Sequence, residues 1–153
     1  MRYLLDTNIY IYVIKRRPPQ VLARFQRCIV GDIGLSTVTL AELQYGVAKS
    51  AFPARNQEAL DAFTLPLEVV PFDEAAALAY GAIRAALERQ GRPIGAMDLL
   101  IAAHARSLGV TLVTNNPREF GRVEGLQIET WVYAAVPTEY AATQHSAQTM
   151  YAL

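Results

Sequence analysis

A chain of 153 residues, 52% of them apolar, can bury a core as one domain, and none of its uncharged apolar runs reaches the roughly 18 residues needed to cross a bilayer. Fourteen basic residues balance fourteen acidic ones, so a general electrostatic grip on nucleic acid is not expected. Cys28 is the only cysteine, which excludes an internal disulfide and a cysteine-built metal site. Asp6 interrupts the first apolar stretch, so no signal peptide is read there and a soluble, cytoplasmic protein is expected.

Residues 2–5 read as a short apolar strand ending on Asp6, and an amphipathic helix follows to about Lys15. Pro18 and Pro19 open a second helix to about Val30. Residues 32–36 form a strand, after which Ser36 or Thr37 caps a helix carrying Leu40, Glu42, Leu43 and Val47. Another helix runs from near Pro53 to before Pro66, and residues 67–72 give a strand. Asp73 caps an alanine-rich helix through Leu87, closed by Gly91. Residues 95–98 open a further helix that ends at Leu108 before Gly109. The uncharged run 110–114 reads as a strand buried on both faces, and 126–130 as the last strand. Strands alternating with helices predict an α/β fold whose central sheet is mostly parallel and covered by helices on both sides. Residues 1–132 form the domain. Residues 133–153, rich in Ala, Thr and Gln without a period, read as a C-terminal tail, either flexible or an appended extension.

Four acids sit oddly. Asp6 ends the first strand, Glu42 is the one acid of an apolar helix segment, Asp98 lies in the first turn of a nearly all-apolar helix, and Glu119 follows the strand ending at Thr114. Each has a plain structural use. Asp6 suits a helix cap, Asp98 suits the helix dipole, Glu42 suits solvent, and Glu119 suits a surface pair with Arg118 or Arg122. Their placement argues otherwise, because in a parallel sheet Asp6 and the loop holding Asn116 and Glu119 share one rim, and the helices bearing Glu42 and Asp98 start there. Carboxylates gathered at one rim repel one another unless a cation neutralises them, and a hard, oxygen-seeking ion such as Mg²⁺ or Mn²⁺ fits that role. Twelve of the fourteen basic residues are arginine, whose planar fork matches phosphate, although each cluster also reads as a solvated helix face.

The segments Leu5–Asn8, Thr37–Leu43 with Tyr45 and Gly46, Arg92–Asp98 and Val113–Phe120 together resemble the PIN-domain ribonucleases of the VapC toxin type, in matching order from about residue 2 to Trp131. Separations of 36, 56 and 21 residues between the four acids belong to the same resemblance. It implies a PIN-like three-layer fold and a Mg²⁺-dependent endoribonuclease, with Mn²⁺ as a substitute, cutting structured RNA such as a tRNA or rRNA loop to leave a 5′-phosphate. On the matching positions, Asp6 and Asp98 are the expected metal ligands. Glu42 completes the acidic site, either as ligand or by orienting the attacking water, Thr7 and Thr114 hold carboxylates or water, and Asn8 orders its loop. Many PIN domains carry an aspartate where this chain has Asn116, and a subset pairs that Asn with an acid three residues on, here Glu119. The fourth position therefore stays open between them. The resemblance also implies a homodimer and a hetero-oligomer with a VapB-type antitoxin, contact with DNA only through that antitoxin, and no membrane.

Arg16, Arg17, Arg92 and Arg118 are the foremost candidates for RNA contact, with Arg24, Arg27, Arg84 and Arg89 behind them. Tyr10, Tyr12 and Tyr45 are candidates for stacking on splayed bases, against a more ordinary use in the core. Ile9, Ile11, Val13 and Leu22 offer either a partner surface or core. Competing readings are weaker: Asn8 stands where a haloacid-dehalogenase site needs an acid or threonine, a receiver wants an acidic pair and a late lysine, and no glycine-rich first turn supports a dinucleotide fold. The serious alternative is a catalytically degenerate PIN-like module that binds RNA or protein, with Asn116 as its sign.

Overall fold

The computed structural model describes residues 1–132, so the tail at 133–153 lies outside the described residues. Five strands alternate with seven helices: β1 (Tyr3–Leu5), α1 (Thr7–Lys15), α2 (Pro19–Arg27), β2 (Ile33–Ser36), α3 (Thr37–Ala48), α4 (Pro53–Thr64), β3 (Glu68–Val70), α5 (Glu74–Arg89), α6 (Ala96–Leu108), β4 (Thr111–Val113), α7 (Pro117–Phe120) and β5 (Ile128–Glu129). The strands lie in the order β3-β2-β1-β4-β5, and every described pairing is parallel.

Alternating side chains sort the core into two layers, as the two-residue period of a strand requires. Tyr3, Leu5, Ile33, Leu35 and Val113 face one apolar cluster with Ile9, Val13, Val21, Leu43 and Phe63 from α1 to α4. Leu4 and Leu112 face the other, with Ile83 and Leu87 of α5, Ile101 of α6 and Phe120 of α7. Leu4, Leu5 and Leu112 are fully buried, and each such leucine contributes about 2 kcal/mol of apolar burial.

The capping residues act much as their chemistry suggests. Ser36 accepts a hydrogen bond from the Val38 N–H, Asp73 accepts from Ala76, and Gly109 closes α6 with φ 67°, a left-handed conformation that glycine adopts without strain. Two expectations need correction, and one open choice closes. Helix α2 stops at Arg27, because Cys28 is extended and Gly31 turns the chain at φ 94°, which leaves Ile29 and Val30 exposed. The segment after β4 is not all loop, since Pro117–Phe120 forms the short α7. Ile9 and Val13 are core residues rather than partner surface, being 0% and 2% exposed between the sheet and its neighbouring helices.

Candidate active site

The chain adds β2 and β3 on one side of β1, then crosses to place β4 on the other. That reversal makes the carboxyl ends of β1 and β4 a topological switch point, where α/β sheets open a crevice. Leu5 pairs with Val113 in register, so Asp6 and Thr114 emerge side by side. The Asp6 N–H continues the ladder to the Val113 carbonyl at 2.8 Å, and Thr114 donates to the Glu129 carbonyl at 3.0 Å.

Asp6 stands at the N-cap position of α1 but makes no side-chain capping bond. Instead its Oδ2 accepts from the Thr114 hydroxyl at 3.0 Å, and that hydroxyl accepts from the Asn116 N–H at 3.0 Å. The hydroxyl's proton is thereby committed to Asp6. Thr7, the first residue of α1, donates to Glu42 Oε1 at 2.6 Å and so ties α1 to α3. Glu42 does not simply point to solvent.

The fourth corner is built on α7. Asn116 Nδ2 donates to Glu119 Oε2 at 2.7 Å, while the other Glu119 oxygen accepts from the Gly95 N–H at 2.8 Å. Gly95 precedes α6, so Glu119 pairs a backbone donor at the start of the helix that carries Asp98 in its first turn. A side chain on Gly95 would begin 3.5 Å from Asp98 Oδ2 and 3.9 Å from Glu119 Oε1, which sets these two carboxylates beside each other.

Electrostatics joins the four. Asp98 is pushed up to about 6, first by burial and then by the charges of Asp6, Glu119 and Glu42. Burial also raises Asp6, with Glu42 and Glu119 adding to the shift and the Thr114 hydrogen bond opposing it. Among the described residues no three His, Cys, Asp or Glu side chains close round one point as a ready-made metal cage. The donors present are carboxylate and hydroxyl oxygens, the chemistry of hard cations held by one or two carboxylates together with water and phosphate.

The arginines divide. Arg92 and Arg118 are exposed beside this rim, three residues before Gly95 and next to Glu119. Arg16 and Arg17 follow the far end of α1, about 13 Å along its axis from Asp6. Arg24 pairs with Glu129 and lies over Trp131, and Arg84 pairs with Glu88, so both have local partners. Tyr10 is fully buried and donates to the Gly34 carbonyl at 2.6 Å, which makes it core. Tyr12 accepts from Asn115 Nδ2 at 2.8 Å, and Tyr45 is exposed on α3.

Two features escape a reading of the sequence. The Gly95 N–H carries no side-chain signal at all. His104 is fully buried and shares a 2.8 Å hydrogen bond with Ser36, which links α6 to the cap of α3, the two helices bearing Asp98 and Glu42. Burial lowers the His104 pKa. A lone histidine in an otherwise apolar helix was its available sign.

The sequence and fold have known counterparts. The PIN domain family matches residues 3–126. The tRNA(fMet)-specific endonuclease VapC of Shigella flexneri is 49% identical over 131 residues, covering 86% of this chain and 98% of that protein. The crystal structure of DNA-bound VapBC from Salmonella typhimurium superposes with a TM-score of 0.80 at 44% identity, covering 86% of this chain and 98% of its counterpart. VapBC2 from Rickettsia felis, bound to a DNA fragment from its promoter, gives 0.79 at 42% identity, covering 86% and 99%. A fold, a switch-point acid cluster and identity of this extent agree, and the chain belongs to the PIN-domain family, among its VapC ribonucleases.

Proposed function

We propose that this protein is a metal-dependent endoribonuclease toxin that hydrolyses a phosphodiester of structured RNA and is inhibited by a VapB-type antitoxin. The observation that carries the reading is the cluster of Asp6, Glu42, Asp98 and Glu119 at the switch point, with Asp98 raised to about 6 by burial and the other three charges. Such repulsion is relieved by a divalent cation, and Asp6 and Asp98 would hold Mg²⁺ or Mn²⁺. When bound, the ion would supply Lewis-acid stabilisation to the phosphate oxygens.

The chain's own groups do the rest. Thr114 fixes one oxygen of Asp6. Thr7 occupies Glu42 Oε1, so Oε2 orients the attacking water and accepts its proton during in-line attack. Asn116 and Glu119 hold α7 against the start of α6 and so set where Asp98 points. Arg92 and Arg118 bind flanking phosphates. Asn116 is spent on capping α7 and holding Glu119, so the degenerate-module reading gains nothing from it.

The Shigella relative's name makes initiator tRNA the first substrate to try, and the solved VapBC complexes support a VapB-type antitoxin as the partner in a hetero-oligomer; that assembly would be built on a toxin homodimer and would meet DNA through the antitoxin. No helix among the described residues is long and apolar enough to cross a membrane. The deciding experiment incubates antitoxin-free protein with total tRNA and Mg²⁺ or Mn²⁺, beside EDTA and Asp6→Ala controls, with fragment ends sequenced. Discrete cuts leaving 5′-phosphates, absent in both controls, are expected. Uncut RNA with folded protein and no metal binding would favour a binding module.

Glu119 separates ligand from support. Both its oxygens accept from N–H donors and glutamine keeps only one such acceptor, so Glu119→Gln is expected to lose roughly 10-fold or less, whereas Glu119→Ala, which keeps neither, loses up to about 100-fold, as removal of a residue that orients ligands does. Equal losses in the two variants would make Glu119 a direct ligand instead.

A further inference from the structure

Helices α3 and α6 carry Glu42 and Asp98, and they pack directly against each other. They run in opposite directions. His104, toward the end of α6, shares a 2.8 Å hydrogen bond through Nδ1 with Ser36 at the N-cap of α3. Glu42, farther along α3, acts electrostatically on Asp98 in the first turn of α6. Each acid stands six residues from its helix's end of that bond, about 9 Å along the axis. Positions 36, 39 and 42 step by three along α3, and 98, 101 and 104 along α6, so each set keeps to one side of its helix. Thr39 and Ile101, the two midpoints, are fully buried. One seam thus has the acids at its rim end and the Ser36–His104 bond at its buried end.

What the bond supplies is direction. The other buried residues of α6 are apolar and mostly small: Leu99, Ile101, Ala102, Ala103 and Ala105. Apolar contact is non-directional, so it opposes separation of two helices more than sliding. A hydrogen bond fixes distance and angle, and losing either partner leaves a buried polar group unpaired. Both ends of this one are anchored. Ser36 Oγ also accepts from the Val38 N–H at 3.1 Å, which ties the ring to the start of α3 itself. Phe72 meets His104 edge-on with ring centroids 5.5 Å apart, and its N–H donates to Thr37 Oγ1 at 3.1 Å. The other ring nitrogen, Nε2, is buried with no well-formed hydrogen bond, although the Pro71 carbonyl acts on the ring. A phenylalanine would fill this space without that cost, so the advantage of histidine here is Nδ1.

We propose that His104 is a positioning residue for the acid cluster: through Ser36 it locks the register of α3 against α6 and so sets the spacing of Glu42 and Asp98. Its own bond lies a turn and a half from either acid. A helix that slides moves as a unit, and a misplacement of about 1 Å can cost up to ~100-fold in a catalytic step. The inference rests on the metal-dependent nuclease reading above.

The test compares two variants of the full-length protein whose effects on stability and on the site should rank in opposite order. His104→Phe keeps the ring volume and loses the bond. His104→Asn keeps a hydrogen-bonding group where Nδ1 stood and leaves a cavity, so it should melt lower than His104→Phe. Mn²⁺ affinity, measured by paramagnetic resonance of the free ion without RNA, should nevertheless fall roughly 5- to 10-fold in His104→Phe and stay within about threefold in His104→Asn. At saturating Mn²⁺, kcat per folded molecule should follow the same order, with KM for tRNA within about twofold in both. If neither variant folds, Ser36→Ala and Ser36→Thr give the same contrast, affinity being lost with the hydroxyl and kept with it. Affinity that tracks melting temperature, or that is equal across the folded variants, reduces His104 to a packing residue and overturns the inference while the wild-type protein still binds Mn²⁺ and cuts RNA. A folded wild-type protein that binds no Mn²⁺ and cuts no RNA would overturn the nuclease reading, and the positioning role with it.

Discussion

Asp98→Asn is expected to reduce RNA cleavage by at least ~10²–10³-fold and, in the same protein, to raise the melting temperature of the metal-free form. The two effects share one cause. Burial and three facing carboxylates hold Asp98 at about 6, above the ordinary value of about 3.9. Between those values the folded protein keeps a proton that the unfolded chain has released, so Asp98 makes the metal-free fold lose stability as pH rises through that window, with the whole loss present at pH 7. Two pKa units correspond to roughly 3 kcal/mol, but a carboxylate this open to solvent is screened, and about 1 kcal/mol remains. Asparagine removes the charge at nearly the same volume. The variant should therefore melt about 2–4 °C higher at pH 7 without metal, and equally with the wild type near pH 4. Mg²⁺ should stabilise the wild-type protein and not the variant. Scanning calorimetry at the two pH values, with and without metal, checks this. A fully active variant, or one that melts lower at pH 7, would remove Asp98 from the site.

How much of this was visible in the chain depends on whether a side chain or the backbone makes the feature. Asp6 was legible because a buried three-residue strand ending on a carboxylate leaves that charge little else to do. Thr114, 108 residues away, was legible only through strand polarity, since parallel strands put both ends on one rim. The Gly95 N–H was not legible, because every residue except proline has that donor and only the fold selects this one. Helix α7 was missed because Pro117–Phe120 is too short to show a helical period. Ile9 and Val13 were ambiguous for a different reason. A helix packed between a sheet and other helices is apolar over much of its surface, as a helix offered to a partner would be, so composition cannot separate the two. The arginines were the least legible, since reach decides their use. Arg24 is taken up by Glu129 and Trp131, whereas Arg92 and Arg118 stay exposed at the rim.

Trp131→Ala should have the opposite character, with a large loss of stability and little change in the chemistry of each folded molecule. Trp131 is fully buried and meets Tyr3 of β1 edge-on, with ring centroids 5.5 Å apart. Its indole N–H donates to Glu129 Oε1 at 3.1 Å, and the Arg24 guanidinium lies 5.4 Å above its ring. One side chain thus closes the apolar cluster under α1 and α2 and joins both to β1 and β5. Truncating a buried tryptophan costs about 3–5 kcal/mol, a large share of the roughly 5–15 kcal/mol that holds a domain together. The melting temperature should fall by about 10 °C or more. Trp131→Phe keeps the ring against Tyr3 but loses the N–H and some volume, so a cost of about 1–2 kcal/mol is expected. Cleavage at 20 °C, corrected for the folded fraction, should stay within about twofold of wild type in both variants, because the Asp6–Thr114 and Thr7–Glu42 hydrogen bonds do not involve the indole. A melting point within 2 °C of wild type for Trp131→Ala would show that the cluster closes without it. A folded but inactive variant would mean that the strand end bearing Asp6 is held from this distant face of the sheet, through Tyr3, as well as by Thr114.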